Sequence, residues 1–158
     1  MKKLFFYLSL LFFITQFYSC SWIVGFYVIN STNETITIEL KLQDSIKGSF
    51  PIFEYRDASA YSIDNRNKID YQKSFQITYD TLQKFSHLRF KLPPKSAAQI
   101  GALHNDKYKK HDQYFINGRV FNLEKLIIAK GSSVTTITYD SFDRFFEDKN
   151  NGVEFVVK

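Results

Sequence analysis

The feature that most limits what this chain can become is a period of two in hydrophobicity, repeated along its length. In Thr35–Leu42, Ile36, Ile38, Leu40 and Leu42 fall on one side and Thr35, Thr37, Glu39 and Lys41 on the other. Phe75, Ile77 and Tyr79 alternate with Gln76 and Thr78; Leu88, Phe90 and Leu92 alternate with His87, Arg89 and Lys91. Successive side chains of a strand point to opposite faces, so each pattern predicts a strand with one dry and one wet face, as antiparallel sheets require. The 17 Phe and 10 Tyr among 158 residues favour the same half-buried pleated surfaces. An apolar fraction of 44% excludes a disordered polar chain.

The rest of the chain supplies further strands and their turns. Trp22–Ile29 is apolar on both faces and predicts a central strand covered on both sides. Asn30-Ser31-Thr32-Asn33 turns the chain into Thr35–Leu42, as a hairpin or as a crossing between sheets. Pro93-Pro94-Lys95-Ser96 ends the Leu88–Leu92 strand, and Ala97–Ala102 is expected as a short edge strand after it. Asn117-Gly118 predicts a two-residue hairpin between Tyr114–Ile116 and Val120–Leu123. Gly131-Ser132 predicts another, between Leu126–Ala129 and Val134–Tyr139, and Asn151-Gly152 leads into a terminal strand, Val153–Val157.

Phe50, Ile52 and Phe53 indicate a short strand, and Asp64–Lys68 a polar loop. Ser141–Glu147 reads as a helix: Phe142, Phe145 and Phe146 share a face, and Asp140 or Ser141 can cap it. About eight short strands with regular turn signals predict an all-β chain. The expected architecture is a single antiparallel β-sandwich, immunoglobulin-like, with one short helix near the C-terminus.

Residue chemistry narrows the function only by exclusion. Lys and Arg are interleaved with Asp and Glu, without the dense basic stripe or reading motif of a nucleic-acid binder, so no nucleic-acid partner is expected. A single cysteine excludes an intrachain disulfide and any CxxC arrangement. No G-x-S-x-G, Walker or dinucleotide glycine pattern is present. His104 and His111 each stand near a carboxylate, Asp106 and Asp112. Their spacing fits no standard metal motif, and Lys107, Lys109 and Lys110 between them would repel a cation, so a solvated loop is expected.

Asp148–Gly152 lacks the alternating acids and closing Glu of a calcium loop and reads as a turn. Asp140, Asp143, Glu147 and Asp148 offer paired carboxylates of the kind glycoside hydrolysis uses, but on or beside a short helix where acids are normally solvated. His87 is expected at the surface beside Arg89. Asn30-Ser31-Thr32 and Asn33-Glu34-Thr35 fit glycosylation sequons but read as turn chemistry. Tyr55, Tyr61, Tyr71 and Tyr108 lie in polar stretches and would suit a sugar- or peptide-binding surface. No catalytic residue, metal ligand or cofactor is expected.

The N-terminus carries the one strong signal. Residues 1–20 read MKKLFFYLSLLFFITQFYSC: Lys2 and Lys3, an apolar run from Leu4 to Ile14 broken only by Ser9, then Thr15-Gln16 and Phe17-Tyr18-Ser19-Cys20. This is the three-part layout of an export signal. The formal charge is +5; with Lys2 and Lys3 assigned to a segment holding no acid, +3 remains on residues 20–158.

The segment resembles the signals of bacterial lipoproteins, in which a small residue precedes an invariant cysteine, here Ser19-Cys20. Phe17 and Tyr18 give it the relaxed box of Bacteroidetes-like lipoproteins. The resemblance covers the first 20 residues and implies cleavage after residue 19 by a signal peptidase of type II. It implies a diacylglycerol on the Cys20 sulfur with palmitate-like acyl chains, and a domain spanning 20–158. Two alternatives stay open: a cleaved signal with Cys20 as a core thiol, and an uncleaved anchor, since Leu4–Asn30 has no charge and is long enough to span a bilayer.

The functional expectation is a non-enzymatic lipoprotein module, held through Cys20 on the periplasmic face of the outer membrane and contacting an envelope protein or glycan. The alternative is a tethered hydrolase or metal-dependent enzyme using the acidic and histidine loop residues.

Overall fold

The run that is apolar on both faces forms the spine of the first sheet. The computed structural model describes residues 21–43, 49–54, 59–83, 86–149 and 152–158; the segment 1–19, Cys20 and Tyr55 lie outside them. In chain order the strands are β1 (Ile23–Asn30), β2 (Ile36–Leu42), β3 (Phe50–Pro51), β4 (Ser59–Ile63), β5 (Ile69–Gln76), β6 (Tyr79–Gln83) and β7 (His87–Leu92). They continue with β8 (Ser96–His104), β9 (Arg119–Val120), β10 (Leu123–Lys130), β11 (Ser133–Thr138), β12 (Glu147–Lys149) and β13 (Gly152–Val157). The helix α1 (Phe142–Phe145) precedes β12.

One sheet runs β12-β13-β1-β8-β4-β5, the other β11-β10-β2-β7-β6, and β3 and β9 form a two-stranded ribbon. The chain is an all-β sandwich. Its pairs are antiparallel except two: β1 with β13, and β3 with β9, are parallel. The immunoglobulin-like variant is not confirmed by this order.

The alternation in β2 and β7 does what it predicts. Ile36, Ile38, Leu40 and Leu42 pack inward from β2, and Leu88, Phe90 and Leu92 from β7, in register as Ile38 opposite Phe90 and Leu40 opposite Leu88. From the facing sheet, Phe26 and Val28 of β1 meet them in one core. Its centre is aromatic: Phe26 and Phe53 have ring centroids 5.2 Å apart, Phe53 and Phe121 4.9 Å, and Phe121 and Phe142 4.8 Å, all tilted or edge-on. Each such ring, fully buried, contributes on the order of 2 kcal/mol or more. Phe142 and Phe146 stack at 4.1 Å, so the short helix closes one end of the core as expected. It is shorter than predicted, because Glu147 already pairs with Glu154 in the β12–β13 ladder. Its lead-in is held by Thr138, whose N–H donates to Ser141 Oγ at 2.8 Å.

Asn30–Asn33 is a crossing between the sheets, and Gly131, at φ +53°, turns the β10–β11 hairpin. Three other expectations are corrected. Ala97–Ala102 belongs to β8, an interior strand between β1 and β4: Ala97 and Ala98 are fully buried, small enough to sit between covered faces. Phe75–Tyr79 is not one strand. The chain leaves the first sheet after Gln76 and enters the second at Tyr79, with Phe75 left 36% exposed.

Asn117-Gly118 makes no hairpin; it ends a 3-10 turn, Ile116–Gly118, with Gly118 at φ +65°. Burial of Phe115 and Phe121 and capture of the Ile116 N–H by Asp106 Oδ2 at 2.9 Å fix the chain here, and β9 pairs with β3 instead.

Candidate functional site

The end of the sandwich where β1 begins brings together exposed aromatic residues, Trp22 and Tyr71, with three lysines. Trp22 precedes β1 and is clamped at its backbone. Its N–H donates to Asn105 Oδ1 at 3.1 Å, and the Asn105 N–H returns a bond to the Trp22 carbonyl at 2.9 Å. Asn105 can do this because it holds φ +55°, a conformation that asparagine tolerates better than most residues. Trp22 is 42% exposed and Ile23 57%. With Tyr71, Lys107, Lys109 and Lys149 they line an open groove of about 880 Å³ that also includes Asp148.

Tyr71 reaches this groove because of an irregularity in the β4–β5 ladder. Tyr61 pairs with Ser74 and Ser62 with Asp70, so residues 71–73 bulge out. Asp70 Oδ1 supports the bulge by accepting the Gln72 N–H at 3.1 Å. The bulge lays Tyr71 against Tyr61 at 5.4 Å and Tyr27 at 6.2 Å, covering the outer face of β1. Tyr27 is thereby 95% buried, and burial first, then its hydrogen bond with Tyr71, pushes its hydroxyl pKa far up. The Tyr27 ring needs the bare backbones of Gly25 and Gly152: a Cβ on either would lie 2.4 Å or 2.9 Å from it.

The histidine and carboxylate candidates are dispersed. His104, at the end of β8, lines a second cleft of about 460 Å³ with Glu54, Gln99 and Arg119. His111 instead joins Asp143 and Tyr108. Its Nδ1 lies 2.7 Å from Asp143 Oδ2, which also accepts the His111 N–H at 3.2 Å, while the Tyr108 hydroxyl donates to Asp143 Oδ1. Burial opposes the Asp143 charge, but the bonds from Tyr108 and His111 outweigh it and hold the carboxyl below its usual range. Burial, with Asp143 beside it, pushes the Tyr108 hydroxyl pKa far up.

Tyr108 is thus not the exposed aromatic its polar neighbours imply: it packs edge-on against Phe26 at 5.2 Å. His87 is half-buried, its Nε2 2.8 Å from Glu39 Oε1. Asp140 and Asp148 stay exposed. Among the described residues no three His, Cys, Asp or Glu side chains come together as metal ligands. Among them, too, no helix is long and apolar enough to cross a membrane.

Sequence reasoning missed the Asp143–His111–Tyr108 knot and the Trp22–Asn105 clamp. Their members lie 32, 35 and 83 positions apart, beyond any local pattern. No family model, no curated protein and no solved structure matches the chain.

Proposed function

We propose that the protein is a lipid-anchored β-sandwich of the bacterial cell envelope, held by acyl chains on Cys20 and acting by contact. Lys2-Lys3, the apolar run Leu4–Ile14 and the Ser19-Cys20 ending carry this reading. A thioether-linked diacylglycerol with a further amide-linked chain anchors durably, since stable attachment takes two or more chains. The anchor belongs on the outer membrane, facing the periplasm, and the partner is an envelope protein or a glycan.

Both Asp143 oxygens are bound to Tyr108 and His111, which ties their loop to α1. Mass spectrometry of the membrane-bound protein tests the anchor. The expected result is a mature N-terminus at Cys20 with added acyl mass, and a Cys20→Ala variant that carries no acyl mass and keeps its N-terminal segment. A chain starting at Met1, or a bare thiol at Cys20, overturns the reading.

A further inference from the structure

We propose that the groove where β1 begins is the face on which the domain rests against a bilayer containing anionic phospholipid; the inference rests on the anchor at Cys20. Covalent reach sets the geometry. One residue, Ser21, separates Cys20 from Trp22, so chain length alone keeps an acylated sulfur within roughly 10 Å of the Trp22 backbone. That backbone is not free to swing, because Asn105 holds both its N–H and its carbonyl. The lipid chains and the groove therefore meet the membrane together, and the domain has no tether on which to turn the groove away.

The groove has the chemistry of the lipid–water boundary. Trp22 and Tyr71, 42% and 47% exposed, are the residue types that settle at headgroup depth, and Ile23 adds apolar surface beside them. Three lysines stand against one aspartate, Asp148. Lys149 is engaged by Glu147 and Glu154, whereas Lys107 and Lys109 have no ion-pair partner among the described residues. Among the described residues their hydrogen bonds are made by the backbone: the Lys107 N–H with Asp106, the Lys107 carbonyl with Gln113, and the Lys109 N–H with Gln113. Long side chains with free ammonium groups beside exposed aromatics favour anionic headgroups, with each lysine shifting the seating equilibrium about fivefold.

The chain has one tryptophan, so its emission, excited at wavelengths that tyrosine does not absorb, reports this face alone. The acylated full-length protein is reconstituted into phosphatidylcholine vesicles with and without phosphatidylglycerol, some carrying brominated acyl chains as quenchers. With phosphatidylglycerol, Trp22 emission is expected to shift to the blue and to be quenched by the brominated lipid, and acrylamide is expected to lose access. A Lys107→Gln/Lys109→Gln variant is expected to lower the seated-to-unseated ratio by about twenty-fivefold, while still floating with the vesicles. Equal quenching in both lipids and in the variant, with flotation intact, overturns the seat and leaves the anchor standing. Failure of the wild-type protein to float, with a bare Cys20, overturns both.

Discussion

At the scale of single residues, the side chains that matter most are those whose partners lie far away in sequence. Asp143 ties the loop holding Tyr108 and His111 to the helix that closes the core. Its pKa is lowered on folding, so its contribution is fully present above the unfolded value, near 3.9, and is lost as pH falls through the lower folded one. Replacing Asp143 with Asn removes the charge and should cost about 1–2 kcal/mol at neutral pH, the lower end applying because the group is partly solvated. Urea denaturation at pH 7 and again near pH 3 checks this. The gap between wild type and Asp143→Asn should narrow in acid, and a gap that is constant or widens rules the mechanism out. Nothing local announces this triad, and its members read separately as a solvated loop and a helix surface. Gly152 illustrates the same limit: it reads as a turn glycine, yet its φ of +143° and the Gly25 carbonyl 2.5 Å from any Cβ make it a requirement of the β1–β13 pairing.

At the scale of elements, patterns that depend on a strand's own two faces were legible, and those that depend on a neighbour were not. The β2 and β7 alternation, the two-sided burial of β1 and the Gly131 hairpin follow from side-chain period and turn chemistry alone. The interior place of β8 did not, because a run of small residues reads alike at an edge and between two covered strands. Asn117-Gly118 misled for the converse reason: a strong local turn signal was overridden by burial of Phe115 and Phe121. The crossing from β1 to β2 shows how much one residue can fix. Asn30 is fully buried; its Nδ2 faces the carbonyls of Glu34, Leu92 and Pro93 at 2.8, 3.2 and 2.8 Å, and its Oδ1 accepts from the Thr32 N–H and hydroxyl. It spends every donor it has on holding the two sheets at this corner. Asn30→Asp keeps the shape but turns the donor into an acceptor among carbonyls, and should destabilise by about 3 kcal/mol or more. Thermal unfolding followed by circular dichroism measures it, and a melting temperature within a degree or two of wild type would refute the assignment.

For the whole molecule, the decisive contact joins the first and last of the described strands. β13 completes the first sheet by pairing in parallel with β1, Phe26 opposite Val153 and Asn30 opposite Val157, and Ser31 adds bonds from its N–H and hydroxyl to the Val157 carbonyl. The pairing spans 127 positions, from residue 26 to residue 153. Parallel pairing between distant strands has to overcome the entropy of closing a long loop, and nothing rewards it until the intervening strands are in place. The β10–β11 hairpin, α1 and β12 lead directly to β13, so its docking should be the last step in assembling the first sheet. Val153 probes that step, being fully buried in the common core and opposite Phe26. Val153→Ala removes two methyl groups and should cost about 2 kcal/mol. If β13 docks after the folding barrier, that loss falls almost wholly on unfolding: the unfolding rate should rise roughly thirtyfold while the folding rate stays within a factor of two. Stopped-flow chevron measurements separate the two limbs. A variant that folds proportionally slower, with unchanged unfolding, would place the β1–β13 closure in the nucleus and reverse the order of assembly argued here.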